Sequence, residues 1–172
     1  MSENRSGAED RSAIGMSEGP GAGRRALVVD DAPDIRMLAE LVLSMAGFAV
    51  SCAESGRAAL RLLEAGPVPD LVLLDVQMPE LDGWETLGRL RADPRTADVP
   101  VVLCTVKGLP EDALRGWALG CDGYLGKPFD IAGLVDELTA VLARDHDERL
   151  AVRQARVAAI GGGGRGPRRP AA

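Results

Sequence analysis

Residues 71–83 read LVLLDVQMPELDG, Leu71 to Gly83, and the rest of the chain is arranged around them. Leu71 to Leu74 run without a polar break, which predicts a strand buried on both faces of a sheet. The run ends on a carboxylate, Asp75. Pro79 and Asp82-Gly83 then force a loop. Open α/β sheets place their chemistry at the carboxyl ends of strands, so Asp75 stands where a reactive group belongs. A carboxylate there can act as a nucleophile and accept a phosphoryl group.

Outward from this stretch, short apolar runs alternate with helical spacing. Ala26 to Val29 forms a strand ending in Asp30-Asp31, and Pro33 opens a helix carrying Ile35, Leu38, Leu41, Val42 and Met45. Phe48 to Cys52 reads as a second strand, and Ala58 to Leu63 as a short helix that Gly66-Pro67 ends. After the central stretch come a helix near Trp84 to Arg91 and a fourth strand, Val101 to Cys104, capped by Thr105. A helix from Pro110 to Leu119 follows, then a brief fifth strand at Tyr124-Leu125, and Lys127-Pro128. Ile131, Leu134, Val135, Leu138, Val141 and Leu142 mark a last amphipathic helix. Five alternations predict an α/β fold: a doubly wound parallel sheet with helices on both faces.

Composition narrows the function. Hydrophobic residues make up 46% and aromatics 3%, so the core is aliphatic. The formal charge of -6 concentrates in residues 26–144, which argues against DNA binding by the core. Cys52, Cys104 and Cys121 lack metal-ligand spacing and read as ordinary thiols of a reducing compartment. No apolar run approaches the ~20 residues of a membrane helix, and no signal core opens the chain, so a cytoplasmic protein without a membrane segment is expected. Residues 1–25 read as a disordered tail, 26–144 as the folded domain, and 145–172 as a partly helical, then flexible basic tail. That last stretch is too short for an output domain.

Asp30, Asp31 and Asp75 converge if the first and third strands are neighbours. Two like charges ~4 Å apart repel by roughly 4 kcal/mol at an effective dielectric near 20. Such a cluster protonates or binds a cation, and oxygen-only ligands favour Mg²⁺. Thr105 adds a hydroxyl donor and Lys127 a cation at the next two strand ends.

These residues resemble a response-regulator receiver domain of two-component signalling. The resemblance covers about Ala26 to Arg144. It rests on Asp30-Asp31, on Asp75 with Met78-Pro79 and Asp82-Gly83, and on Thr105, Tyr124 and Lys127-Pro128-Phe129. It implies a flavodoxin-like sheet in strand order 2-1-3-4-5. It implies that Asp75 takes phosphate from a sensor histidine kinase or a histidine phosphotransfer protein. The implied Mg²⁺ ligands are Asp31, Asp75 and the backbone carbonyl of Gln77, with Asp30 acting through water. A cis Lys127–Pro128 bond is implied as well.

The implied switch moves Thr105 toward the phosphate and turns Tyr124 inward. It reshapes the face of the fourth helix, fifth strand and fifth helix for a protein partner or onward transfer. Trp117 is a candidate anchor on that face, packed core being the alternative. Two other functions compete: a Mg²⁺-dependent phosphohydrolase, and a docking or dimer module independent of phosphorylation. Aspartyl phosphohydrolases usually carry a second Asp two residues after the nucleophile, where this chain has Gln77. The switch is therefore expected to be no enzyme beyond its own phosphorylation and dephosphorylation.

Val106 departs from the pattern, since a small residue usually follows the threonine in this family. A β-branched side chain there narrows the approach to Asp75 unless it points aside. Val106→Ala is expected to speed labelling of the chain by a small phosphodonor, and equal rates in the two proteins would reject this reading.

Overall fold

A computed structural model describes residues 19–106 and 109–162. The expected disordered start (1–18) and the end of the basic tail (163–172) lie outside the described residues. Gly19 to Gly23 form turns rather than open chain, with the Gly21 amide donating to the Ala46 carbonyl at 3.0 Å.

Strands and helices alternate as β1 (Arg25–Val29), α1 (Pro33–Met45), β2 (Ala49–Ala53), α2 (Gly56–Ala65) and β3 (Leu71–Asp75). They continue as α3 (Gly83–Ala92), β4 (Val101–Thr105), α4 (Pro110–Leu119), β5 (Gly123–Gly126), α5 (Ile131–Leu142) and α6 (His146–Gly162). The five strands form one parallel sheet in order β2-β1-β3-β4-β5. This is the flavodoxin-like order that the receiver-domain resemblance implied.

The twofold period of a strand divides the core in two. Leu27, Val29, Val72, Leu74, Val101 and Leu103 face α2, α3 and α4. Ala26, Val28, Leu71, Leu73, Val102 and Cys104 face α1 and α5. β3 and β4 are buried at every position because both faces are covered, which explains their unbroken apolar runs. β2 lies at an edge, and its Cys52 is only half-buried, unlike Cys104 and Cys121.

Helix starts follow local chemistry. Ser55, Asp82 and Asp130 cap α2, α3 and α5 by accepting from the amides of Ala58, Glu85 and Gly133. α1 and α4 instead open on Pro33 and Pro110. Gly120 ends α4 with φ of 94°, a left-handed conformation that favours glycine.

Two features went beyond the sequence reading. First, α6 is a separate helix, not an extension of α5; it breaks away after Ala143–Asp145 and lies against α4. Second, Arg91 organises the α3–β4 connection. Its guanidinium donates to the carbonyls of Gly120 (2.9 Å), Ala97 (3.1 Å) and Val99 (2.8 Å) and to the Asp122 carboxylate (3.0 Å). Among the described residues, no helix is long and apolar enough to cross a membrane.

Gly83 sets the distance between α3 and the end of β3. A Cβ there would lie 2.3 Å from the Asp75 carbonyl oxygen and 2.6 Å from the Val76 Cα. Both obstacles are backbone, so neither can rotate away. Gly83→Ala is expected to cost about 1–3 kcal/mol by overpacking, read as a lowered urea midpoint with an unchanged slope.

Candidate functional site

The strand order reverses direction between β1 and β3, and the residues that leave those two strands meet there. Asp30 and Asp31 follow β1, Asp75 ends β3, and one carboxylate oxygen from each lies within 4.8 Å of the others. Asp30 and Asp75 are buried whereas Asp31 is exposed, so the group opens to solvent on one side. Backbone contacts fix the first of these: the Asp30 amide donates to the Ala53 carbonyl, and its carboxylate accepts from the Ala32 amide at 2.9 Å.

Lys127 reaches in from the end of β5. Its Nζ lies 2.5 Å from Asp30 Oδ2 and 3.1 Å from Asp75 Oδ1. Its own amide donates to the Thr105 carbonyl at 2.7 Å, which ties the end of β5 to the end of β4. The Lys127–Pro128 bond is cis. Thr105 is buried at the tip of β4, and its side chain is hydrogen-bonded to that of half-buried Tyr124.

The charges do not balance within the protein. Three carboxylates face one ammonium, a formal excess of two negative charges. Burial pushes the Asp75 carboxyl up; Lys127 opposes this, Asp30 adds to it, and hydrogen bonds from Lys127 and the Gln77 amide oppose it again. The carboxyl stays above its ordinary range. Burial alone would lower Lys127, but its hydrogen bond to Asp30 and the charges of Asp75 and Asp30 outweigh that and raise it. An all-oxygen donor set with this excess fits a hard divalent cation such as Mg²⁺.

Beside the acidic group lies a cleft of about 420 Å³ lined by Gln77, Trp84, Thr105, Leu109, Asp112 and Arg115. Arg115 sits over the Trp84 ring at 4.9 Å from its centroid, and Trp84 is otherwise packed. Val106 is 59% exposed, so its side chain is not held in the core.

Trp117 is corrected from surface anchor to packed residue. It is only 7% exposed, joins the core cluster on the α4 side of the sheet, and lies under the Arg156 guanidinium. The face it shares with Ala113 and Cys121 points inward. Of the two candidates on this side, Tyr124 alone stays partly accessible.

The sequence reading missed a second polar group. The Asp122 side chain is fully buried and meets three arginines: Arg91 at 3.0 Å, Arg149 at 3.2 Å and Arg153 at 2.7 Å. The Gly120–Gly123 turn and the i, i+4 spacing of Arg149 and Arg153 were visible. That they converge across some thirty residues was not.

A sheet in this order, with carboxylates at the β1/β3 reversal, places the chain among doubly wound α/β proteins of flavodoxin-like type. The response regulator receiver domain family matches residues 26–139, and the chain belongs to it. The Synechocystis DNA-binding dual master transcriptional regulator RpaA is 40% identical over 120 residues, 70% of this chain and 49% of that protein. The chain spans about half the length of the curated relatives it matches. Among solved structures, the Vibrio cholerae chemotaxis protein CheY4 is 32% identical with a TM-score of 0.66, covering 69% of this chain and 98% of that one. The response regulator Rcp1, solved in a Mn²⁺-bound form, is 26% identical with a TM-score of 0.60, covering 69% and 91%.

The raised Asp75 carboxyl has a consequence for stability. A carboxyl whose folded value exceeds its unfolded one opposes folding at neutral pH, and this opposition fades as pH falls through the folded value. In metal-free buffer, Asp75→Asn is expected to be more stable than the parent at pH 7, with the gap closing on acidification. Urea titrations at pH 7 and at an acidic pH check the sign; Mg²⁺ is expected to narrow the gap by binding the parent more tightly than the variant.

Proposed function

We propose that this chain is a phosphorylation-dependent signalling switch of a two-component system, with Asp75 as phosphoacceptor. The observation that carries the reading is Lys127 Nζ within 3.1 Å of Asp75, beside three clustered carboxylates. One Asp75 oxygen attacks the phosphorus of a phosphohistidine on a sensor kinase or phosphotransfer protein. The O–P bond forms as the P–N bond breaks, and its electron pair returns to the imidazole nitrogen. The product is an acyl phosphate.

Phosphoryl transfer depends mainly on positioning and on neutralising the charge of the equatorial oxygens. Lys127 provides one cation already aimed at the acceptor. The Thr105 hydroxyl provides a donor once its bond to Tyr124 is exchanged for a phosphoryl oxygen. Asp30, Asp31, Asp75 and the Gln77 carbonyl would hold Mg²⁺, which supplies the remaining positive charge when bound. Rcp1, in its Mn²⁺-bound form, supports a divalent ion in a chain of this family.

The Gln77 carboxamide cannot act as a general acid or base near neutral pH, which favours a stored phosphate over steady hydrolysis of esters. The output is contact with a protein partner or onward transfer, through the α4, β5 and α5 side where Tyr124 lies. RpaA is a DNA-binding regulator about twice as long as the matched stretch. We read the acidic domain here as the part that switches, not the part that touches DNA. We infer a cytoplasmic location from a kinase or phosphotransfer partner of this kind.

Acetyl phosphate with Mg²⁺ is expected to leave a hydroxylamine-sensitive phosphate on Asp75, mapped by mass spectrometry. Asp75→Asn should take none, and Lys127→Met should label roughly a hundredfold more slowly. Stable label elsewhere in the chain, or equal label in Asp75→Asn, would overturn the assignment.

A further inference from the structure

α6 lies on the outside of α4, and none of its residues is fully buried. What it covers is buried. Val152, Val157 and Ile160 rest against the core cluster that holds Trp117, and Arg156 stacks over the indole. Arg149 and Arg153 reach past α4 to the Asp122 carboxylate. A helix seated this way can leave without opening the sheet, and its departure would bare the indole.

The seat mixes satisfied and unsatisfied contacts: Arg149 donates to the Asp98 carbonyl at 2.9 Å and Arg153 to Asp122 at 2.7 Å. One buried carboxylate faces three guanidiniums, so α6 brings two positive charges to a site where Arg91 already provides one. The Nε atoms of Arg149 and Arg153 are buried without a hydrogen-bond partner, and Arg149 meets Asp122 as a charge contact, not an aligned hydrogen bond. Unsatisfied buried donors offset part of what the ion pairs contribute. A helix of 17 residues gains most of its stability from such tertiary packing, so a modest change in the seat shifts its occupancy.

That seat is tied to the acidic site at both ends of α4. Before α4, the chain leaves β4 at Thr105. After α4, Asp122 stands two residues from Tyr124, which is hydrogen-bonded to Thr105 and packed against the same core cluster as α6. Rearrangement of the Thr105–Tyr124 pair therefore acts on the surface that α6 grips.

We propose that α6 is a releasable strap over α4, seated while Asp75 is free and let go when Asp75 is phosphorylated. Release uncovers Trp117 and takes apart the mostly apolar cleft of about 560 Å³ that α4 and α6 form together. The strap rests on the phosphoacceptor reading above. Thermodynamic reciprocity gives it a second signature: if phosphate on Asp75 loosens α6, loosening α6 must favour phosphate on Asp75 by the same factor.

The full chain is treated with acetyl phosphate and Mg²⁺, with Asp75→Asn as control. In the reaction the Asp75 oxygen bonds to phosphorus as the acetyl P–O bond breaks and acetate leaves with the electron pair. Mass spectrometry measures phosphate on Asp75, and hydrogen exchange is followed by segment. Exchange over His146–Gly162 is expected to rise about tenfold in the phosphorylated chain, with the central turns of α5 unchanged. Phosphate on Asp75 with unchanged α6 exchange overturns the strap and leaves the phosphoacceptor reading intact. Absence of phosphate on Asp75 overturns both.

Val157→Asp and Ile160→Asp, in the full chain, loosen α6 without touching the acidic site. Each is expected to raise α6 exchange in the unphosphorylated protein and to tighten the reversible binding of beryllium fluoride, a phosphoryl mimic, in the presence of Mg²⁺. A beryllium fluoride affinity equal to that of the parent, with α6 demonstrably loosened, rejects the coupling.

Discussion

The contact on which the rest depends is the ammonium of Lys127 between Asp30 and Asp75. Two buried carboxylates on adjacent strands repel each other, and in a dry setting that repulsion would drive them apart or protonate one. The lysine removes part of the problem and leaves part of it. It can do so only because β5 stands two places from β3 and ends at the same level, its amide hydrogen-bonded to Thr105. The sheet order, the register and the turn after β5 are thus conditions for one short charge contact. The fit of the group to a divalent cation follows from what that contact leaves uncompensated.

A switch needs a charge centre and something poised to respond to it. Thr105 joins the two. Its backbone carbonyl holds Lys127, while its side chain holds Tyr124. One residue thereby touches both the strand end that carries the cation and the ring that faces the α4 side. In the proposed switch, communication from the acidic group outward requires no long chain of intermediates, because Thr105 touches both the cation and the ring.

The strands and helices were legible because they depend on local signals, whereas the strand order that brings the acids together came from the family resemblance. Uninterrupted apolar runs mark strands covered on both faces, prolines and capping residues mark the starts of helices, and the acids stand at strand ends where the pattern breaks. The depth of Trp117 was not legible. Spacing placed it correctly on one face with Ala113 and Cys121, but that this face packs on the core and is covered from outside by α6 depends on contacts distant in the chain. Asp122 was hidden for a related reason. In a Gly-flanked turn an aspartate reads as a solvated residue, and nothing local announces that arginines from α3 and α6 converge on it.

Arg91 deserves comparison with a structural metal. From a single centre, its planar guanidinium gathers carbonyls from the stretch leading into β4, the end of α4 and the carboxylate that precedes β5. A lysine, with a compact charge on a flexible stem, could not span the same set of acceptors. The loops on this edge therefore share one hub and are not independent modules. Lengthening or grafting any of them would disturb its neighbours, and Arg95 carries the linkage on to the end of α2 by donating to the carbonyls of Leu63 (3.0 Å) and Gly66 (3.3 Å).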